Sequence, residues 1–198
     1  LCDRRQRQMC IRDSGIAGRT KVWRILQREI SKVRTDFHPD GLDKYWKDED
    51  KRYNEDSFRF IRDIETFMKE DFKTKLEQAY GSQWFKRGVP KAVYDKANQL
   101  ASEKNYEITD ASEEYSPWDC LTLIDYRRIA TYGSNWRDIF EKYYTKPGEE
   151  KGGNKEAKTE WMQKLERIRN NNFHTYSVKE EEFEFLSELH KWLIETSD

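Results

Sequence analysis

The sequence predicts an all-α protein, built as a bundle of four or five principal helices. Apolar residues recur at helical spacing in several segments, and no useful length of chain alternates apolar and polar residues as a strand would. Gly and Pro are few, 9 and 4 in 198 residues, which favours long helices over a turn-rich fold. Charged residues make up 38% of the chain, but 7 Trp, 11 Tyr and 10 Phe allow it to bury a large apolar area.

The opening segment, 1–14, has neither kind of periodicity. Its residues from Met9 to Ser14 resemble the translation of a transposon adapter used to prepare DNA libraries, so we expect the segment to be foreign to the protein. The alternative is a genuine basic arm that binds nucleic acid. A foreign segment would make the rest the C-terminal part of a longer protein, whose N-terminal domains are missing.

Segment 15–56 is predicted to be a helical remnant of that upstream region. From Thr20 to Arg34, apolar residues form one stripe of an amphipathic helix, at Val22, Leu26, Ile30 and Val33. The sequence His-Pro-Asp-Gly at 38–41 ends this helix. The charged stretch from Leu42 to Asn54 fits a short helix.

A helical domain is predicted over 57–198, and its longest helix runs from Phe58 to Tyr80. Ser57 fits the N-cap and Gly81 the C′ position of this helix. Its apolar face carries Ile61, Ile64, Met68, Phe72 and Leu76. Pro90 predicts the first position of the next helix, with Ala92, Val93, Ala97 and Leu100 on its apolar side. The polar segment 102–115 is predicted to be a loop.

Capping signals predict the helices that follow. Ser116, Pro117 and Asp119 start a helix that reaches about Ala130, and Gly133 ends it. A short helix opens at Asn135, and the Gly-containing segment 146–158 is predicted to be an exposed connection.

Two helices complete the predicted domain. Thr159 caps the first, which buries Trp161, Leu165 and Ile168. Ser177 and Glu180 form a capping box for the second, which turns Phe185, Leu189 and Leu193 or Trp192 inward.

Several classes of function are excluded by missing signatures. The chain has no Cys-x-x-Cys, no His-Glu-x-x-His, no phosphate-cradling Gly loop and no EF-hand loop, so we expect neither a metal site nor a cofactor. Cys120 is the only thiol outside 1–14, so no internal disulfide is expected. No stretch approaches the ~18 to 20 apolar residues that span a membrane, and we expect a cytoplasmic protein with no membrane partner.

The candidate site is an Arg and a His five positions apart, Arg169 and His174, with Asn170 beside the arginine. On a continuous helix these two positions differ by about 140°, so they share a face only if the helix ends between them. Three successive Asn residues, 170–172, are expected to supply that end, because Asn is a poor interior helix former. The alternative without further context is a surface arginine and a helix-capping histidine.

The order of the helices and aromatic residues adds that context. Five blocks of sequence, taken in order, resemble the HEPN superfamily (higher eukaryotes and prokaryotes nucleotide-binding). They are Phe60 to Phe67, Tyr80 to Phe85 with Val89-Pro90, Tyr126 to Tyr132, Asn135 to Phe140, and Trp161 to Asn170 with His174. The resemblance covers about 57–196 and is to the branch found at the C-terminus of prokaryotic defence proteins. Its most specific part is the block from Leu165 to His174.

The resemblance implies a metal-independent endoribonuclease, the effector of a defence or toxin system, with RNA (tRNA or mRNA) as substrate and a homodimer as the assembly. His174 would transfer protons, Arg169 would bind the scissile phosphate, and Asn170 would orient the phosphate or the histidine. The product would carry a 2′,3′-cyclic phosphate. The family also has members that only bind or dimerise, so a catalytically inactive helical module is the alternative.

Other polar and aromatic residues are predicted to be structural. Four tryptophans are expected in the core rather than as base-stacking platforms: Trp84, Trp136, Trp161 and Trp192. His190 is expected to be exposed or at the core edge. Arg62 and Glu65 on the longest helix are expected to be surface charges, with a supporting ion pair as the alternative. Without 1–14 the chain has 33 basic and 36 acidic residues, a net charge of -3, which is not the footprint of strong sequence-independent RNA binding.

Overall fold

The computed structural model is all-α, as the sequence predicts, and its described residues include no β-strand. The structure describes residues 22, 26, 29, 30, 32–34, 41–149, 153–175 and 178–195, without the side chains at 42, 45, 46, 49 and 172–175. The predicted adapter segment 1–14 lies outside these residues. The chain divides into two compact units, Leu1–Asp48 and Glu49–Asp198.

The helices are named here in chain order. They are α1 (Leu42–Tyr80), α2 (Trp84–Gly88), α3 (Lys91–Asn105), α4 (Leu123–Thr131), α5 (Glu141–Tyr144), α6 (Lys155–Lys158), α7 (Glu160–Thr175) and α8 (Glu180–His190). Short 3₁₀ turns span Gly81–Gln83, Ala111–Glu113 and Pro117–Cys120, and single π-helical turns span Trp136–Phe140 and Lys191–Glu195.

Helix α1 provides the buried face around which the second unit packs. Its predicted apolar stripe is confirmed, since all five side chains are at most 3% exposed: Ile61, Ile64, Met68, Phe72 and Leu76. Buried residues of α7 and α8 join the same cluster: Trp161, Met162, Leu165, Ile168, Leu186 and Leu189. The helices are therefore held together mainly by burial of apolar area.

Aromatic side chains fill the centre of this cluster. The rings of Phe72 and Phe140 stack with centroids 4.2 Å apart, and Tyr126 and Tyr144 meet Phe72 edge-on at 5.4 and 5.0 Å. The predicted core position is confirmed for Trp136 and Trp161, each 4% exposed, whereas Trp84 and Trp192 are partly buried against the core.

A buried junction joins the ends of three helices. Asn135 accepts a hydrogen bond from the Tyr80 hydroxyl (2.6 Å) and donates to the carbonyl oxygens of Gly88 and Ile129 (both 2.8 Å). Gly88 has no room for a side chain, because a Cβ there would lie 2.7 Å from Cδ2 of Leu76. This junction fixes the ends of α1, α2 and α4 relative to one another.

The predicted start of the longest helix is wrong. Helix α1 begins at Leu42, and Ser57, the predicted N-cap, is buried inside it. No Gly or Pro interrupts 42–80, so the stretch before Ser57 contains no helix breaker that would delay the start of α1. The short helix predicted over Leu42 to Asn54 is thus the first third of α1. At the other end Gly81, with φ +60, follows the last residue as predicted.

Three other boundaries also differ from the sequence predictions. The helix predicted from Ser116 to about Ala130 is two elements, because a second capping box at Thr122 and Asp125 starts α4. Helix α3 follows Pro90 directly, buries Val93, Ala97 and Ala101 but not Ala92, and extends three residues beyond Ser102, into the predicted loop. Segment 146–158, predicted as a connection, contains α6.

The last helix also starts later than predicted. Helix α8 begins at Glu180, after non-helical Val178 and Lys179. Glu182 accepts a hydrogen bond from the Lys179 backbone N–H (3.1 Å), which is the role predicted for Glu180, while Ser177 lies outside the described residues. Leu189 and Leu193 point inward as predicted, and Phe185 is partly buried.

In the first unit, the described residues between 22 and 33 are helical, in agreement with the predicted helix from Thr20 to Arg34. Three members of the predicted apolar stripe are exposed: Val22, Leu26 and Val33. Across the described residues, no helix combines the length and the apolar character needed to cross a bilayer.

Candidate active site

Helix α7 carries the predicted site residues, and contacts with α4 fix its position. Its apolar face packs against α4, and the start of the helix is held by Arg127 of α4. The Arg127 guanidinium donates from Nε to the Thr159 carbonyl and from Nη2 to the Glu156 carbonyl, both at 3.1 Å. The polar residues that follow Ile168 therefore emerge at a defined edge of the bundle.

Arg169 forms an ion pair with Glu65 of α1. Its Nε lies 3.3 Å from Oε1 of Glu65, and the two side chains are 36% and 34% exposed. The sequence prediction favoured plain surface charge for Glu65, and its alternative, a supporting ion pair, is what the structure shows. Arg62, on the same helix, is a surface charge as predicted, 77% exposed and 3.9 Å from Asp63.

Asn170 forms hydrogen bonds with Arg169 on one side and with Glu166 on the other. Its side-chain oxygen accepts a hydrogen bond from Nη1 of Arg169 (3.3 Å), and its amide nitrogen donates to Oε1 of Glu166 (3.1 Å). The result is a connected row of four side chains, Glu65, Arg169, Asn170 and Glu166. Arg169 and Asn170, which are neighbours in the chain, are thus also in side-chain contact.

Burial changes the pKa of Glu65, one of the two acids in this row. It raises the pKa of the Glu65 carboxyl above its ordinary value, and the Glu166 charge adds to the rise. The nearby Arg169 guanidinium opposes this rise without cancelling it. The ion pair therefore supports the charged form of Glu65 in a place where burial disfavours it.

The predicted end of the helix at the Asn residues is wrong. Helix α7 continues through 170–172 and ends at Thr175. Each Asn costs only about 0.5 kcal/mol of helix propensity relative to Ala, which is too little to stop a helix by itself. Positions 169 and 174 therefore lie about 140° apart around one helix axis. The His174 side chain lies outside the described residues, so its convergence with Arg169 stays a prediction.

An open groove of about 520 Å³ runs beside Asn170 along the exposed side of α7. Its lining includes two bases and two acids, so its charge is balanced. These and the remaining lining residues are Ile124, Glu160, Gln163, Lys164, Glu166, Arg167, Asn170 and Asn171. The groove is wide enough to admit an extended polar ligand, but its walls do not form an enclosed pocket.

Sequence reasoning missed Glu166, Lys164 and Arg167 as residues of this site. For Lys164 and Arg167 the spacing was available, since 160, 163, 164, 167 and 171 follow one face of a helix, whereas Glu166 lies off that face. The prediction that α7 stops at the Asn residues separated only position 171 from it. Glu65 lay next to the predicted core stripe at Ile64, which is the signal that its carboxylate is drawn toward the bundle.

His190 occupies the core edge, as predicted. Its ring lies 4.7 Å from the Phe60 ring, and Nε2 is 3.3 Å from Oδ2 of Asp63. Both contacts belong to the packing of the last helix on α1. Among the described residues, no group of three or more His, Cys, Asp or Glu side chains has the arrangement that would hold a metal ion.

Comparison with known proteins gives no further guide to the site. The chain matches no known protein family, no curated protein and no solved structure.

Proposed function

We propose that the chain is a metal-independent endoribonuclease of the HEPN type, which cleaves RNA by transphosphorylation and leaves a 2′,3′-cyclic phosphate. The observation that carries the proposal is the ion pair between Glu65 and Arg169, next to Asn170 at the groove. An arginine held from a second helix presents its guanidinium in a fixed orientation, as a phosphate ligand requires. The setting that we propose for this activity is a defence or toxin system.

The chemistry assigns one task to each residue. Arg169 binds the scissile phosphate and offsets the charge that develops on its oxygens. Asn170, in contact with Arg169, orients that phosphate or His174. His174 takes the proton from the RNA 2′-hydroxyl or returns one to the leaving 5′-oxygen, a role suited to an ordinary histidine pKa of about 6.5.

A composite site in a two-fold dimer fits the geometry of α7. One continuous helix separates positions 169 and 174 by about 140°, which favours contact with one phosphate from two protomers over contact from a single α7. A two-fold axis beside α7 would bring position 174 of one protomer toward Arg169 of its partner, because such an interface uses the same patch twice.

Cleavage of single-stranded RNA by the purified chain tests this function. We expect cleavage to persist in EDTA and to leave cyclic phosphate ends, because no step uses a metal. His174→Ala should slow cleavage by about 10² to 10⁴-fold through loss of proton transfer. Arg169→Lys should also be strongly impaired, because an ammonium does not reproduce the planar fork.

Matched controls come from the same molecule. Arg62→Lys changes an exposed arginine on α1, and His190→Gln keeps a nitrogen donor toward Asp63; both should cleave as the unmodified chain does. Cleavage that needs Mg²⁺ and is unaffected by the Arg169 and His174 substitutions would contradict the mechanism.

A second candidate function is a catalytically inactive helical module that dimerises or binds RNA or another partner. The continuity of α7 between 169 and 174 and the net charge of -3 outside 1–14 favour it. A folded dimer that cleaves no RNA under any of these conditions would support this module over the enzyme.

A further inference from the structure

A second cavity lies one helix away from the Arg169 site. It has a volume of about 250 Å³ between α8 and the segment that follows α5, and it is lined by Lys146, Pro147, Phe185, Glu188, Leu189 and Trp192. Phe185 and Trp192 are only partly buried, so aromatic surface remains available at this cavity. The lining thus combines aromatic rings with one base and one acid.

Two ammonium groups converge on one ring of this cavity. Nζ of Lys146 lies 5.5 Å and Nζ of Lys164 lies 4.2 Å from the centre of the Phe185 ring. Among the described residues, no carboxylate oxygen lies within 4.0 Å of either ammonium nitrogen, so neither lysine forms an ion pair. Glu188 nevertheless lines the cavity. Two like charges at one half-buried place favour an anion between them.

We propose that this cavity binds one nucleotide of single-stranded RNA, with its phosphate at Lys146 and Lys164, which the Phe185 ring positions, and its base against Trp192. Aromatic rings beside basic groups are the combination that single-stranded nucleic acid requires, because every base has a face that stacks and every nucleotide a charge. Neither the aromatic rings alone nor the lysines alone would be specific for a nucleotide.

Lys164 connects this nucleotide pocket to the Arg169 site. It belongs to α7, contacts the Phe185 ring and also lines the groove that contains Asn170. Positions 164 and 169 are about 7.5 Å apart along the helix axis, at 1.5 Å per residue, and about 140° apart around it. A strand whose scissile phosphate meets Arg169 would therefore follow the groove around α7, which Lys164 lines, to place a neighbouring nucleotide in the pocket. The inference rests on the proposed function for this role as a subsite.

Binding of a 2′-O-methyl oligoribonucleotide of about 12 nucleotides tests the pocket separately from cleavage, because this probe lacks the 2′-hydroxyl nucleophile. By fluorescence anisotropy, we expect the double variant Lys146→Gln with Lys164→Gln to bind about tenfold more weakly. The slope of log K against log salt should become shallower by about 0.7, the contribution of one phosphate in a single strand.

Trp192→Leu tests stacking separately from charge, because it leaves in place the Phe185 ring over which the two ammonium groups lie. Leucine keeps an apolar contact with the core, and we expect about tenfold weaker binding with an unchanged salt slope. The matched control is Lys104→Gln, which removes an ammonium 4.7 Å from the Tyr115 ring outside the pocket and should bind as the unmodified chain does. Thermal unfolding of each variant verifies that it is folded.

The outcomes distinguish the pocket from the ribonuclease. Unchanged affinity and salt slope in the folded double variant would overturn the pocket, and so would a failure of the unmodified chain to bind the probe. Binding that depends on both lysines, together with no cleavage of unmodified RNA, would support the pocket and overturn the ribonuclease.

Discussion

At the residue scale, Asn135 shows how a single polar side chain holds the fold. It is 1% exposed, and its amide makes three hydrogen bonds to groups on α1, α2 and α4. A buried amide is stabilising only when its donors and acceptor are paired, which is the case here. Removing the amide would take one hydrogen-bond partner from each of these three groups, although the Ile129 carbonyl would keep the Tyr132 N–H at 3.2 Å.

Asn135→Ala should lower the free energy of unfolding by about 2 to 4 kcal/mol, because the carbonyls of Gly88 and Ile129 each lose a donor and the Tyr80 hydroxyl loses its acceptor. Chemical denaturation measures this loss. The matched control is Asn98→Ala, since the Asn98 amide donates only to the Tyr94 carbonyl of its own helix and is partly exposed. Equal stability changes in the two variants would contradict the role of the junction.

At the scale of the element, Asp125 starts α4 and ties it to α3. Its fully buried carboxylate accepts hydrogen bonds from the Thr122 backbone N–H (3.0 Å) and hydroxyl (2.8 Å), and pairs with Lys96 (2.9 Å) and Arg128 (3.2 Å). Burial alone would raise the pKa of Asp125, but Lys96 and Thr122 together lower it below its ordinary value. The charged carboxylate is therefore the form that the fold stabilises.

Asp125→Asn should lower the free energy of unfolding by about 2 kcal/mol at neutral pH. Because the folded pKa lies below the unfolded value of about 3.9, this contribution is present above that pH and is lost as pH falls through the folded pKa. Urea denaturation of both proteins over a pH series should show the difference shrinking below about pH 3.9. Glu114→Gln, on an exposed loop, should show no such trend. A difference that grows in acid would contradict the assignment.

Periodicity predicted the helices better than local signals predicted their ends. The stripe from Ile61 to Leu76 was readable because every member enters the same core. The start of α1 was not, because contacts with distant residues support the stretch before Ser57. Tyr53 packs on Phe183 with centroids 4.4 Å apart, and Asn54 accepts a hydrogen bond from the Val178 backbone N–H at 2.9 Å. No pattern within a window of sequence contains those partners.

The candidate site likewise has a part that the sequence predicted and a part that only the structure shows. Arg169 and Asn170 were found from their order in the chain, whereas the Glu65 pair and the groove required the packing of α7 against its neighbours. The course of α7 through 170–172 was mispredicted because the preference of Asn against helix is small compared with the other interactions of a folded chain.

At the scale of the whole molecule, the separation of positions 169 and 174 around α7 makes assembly decisive for the proposed enzyme. In a composite dimer each site takes Arg169 from one protomer and His174 from the other. Two sites related by a two-fold axis then use four side chains in fixed pairs. Two substitutions carried by different protomers of a dimer therefore leave one site intact, whereas the same two substitutions in every protomer leave none.

Mixing two inactive variants tests this pairing. Arg169→Ala and His174→Ala homodimers each lack one member of both sites, but a mixed dimer has one site with Arg169 and His174 both intact. Random exchange makes about half of the dimers mixed, so we expect about a quarter of the unmodified activity. Mixing Arg169→Ala with a variant that carries both Arg169→Ala and His174→Ala, and so supplies no Arg169, should restore none. A chain that sediments only as a monomer at tens of micromolar, or that regains no activity after verified exchange, would contradict the composite site.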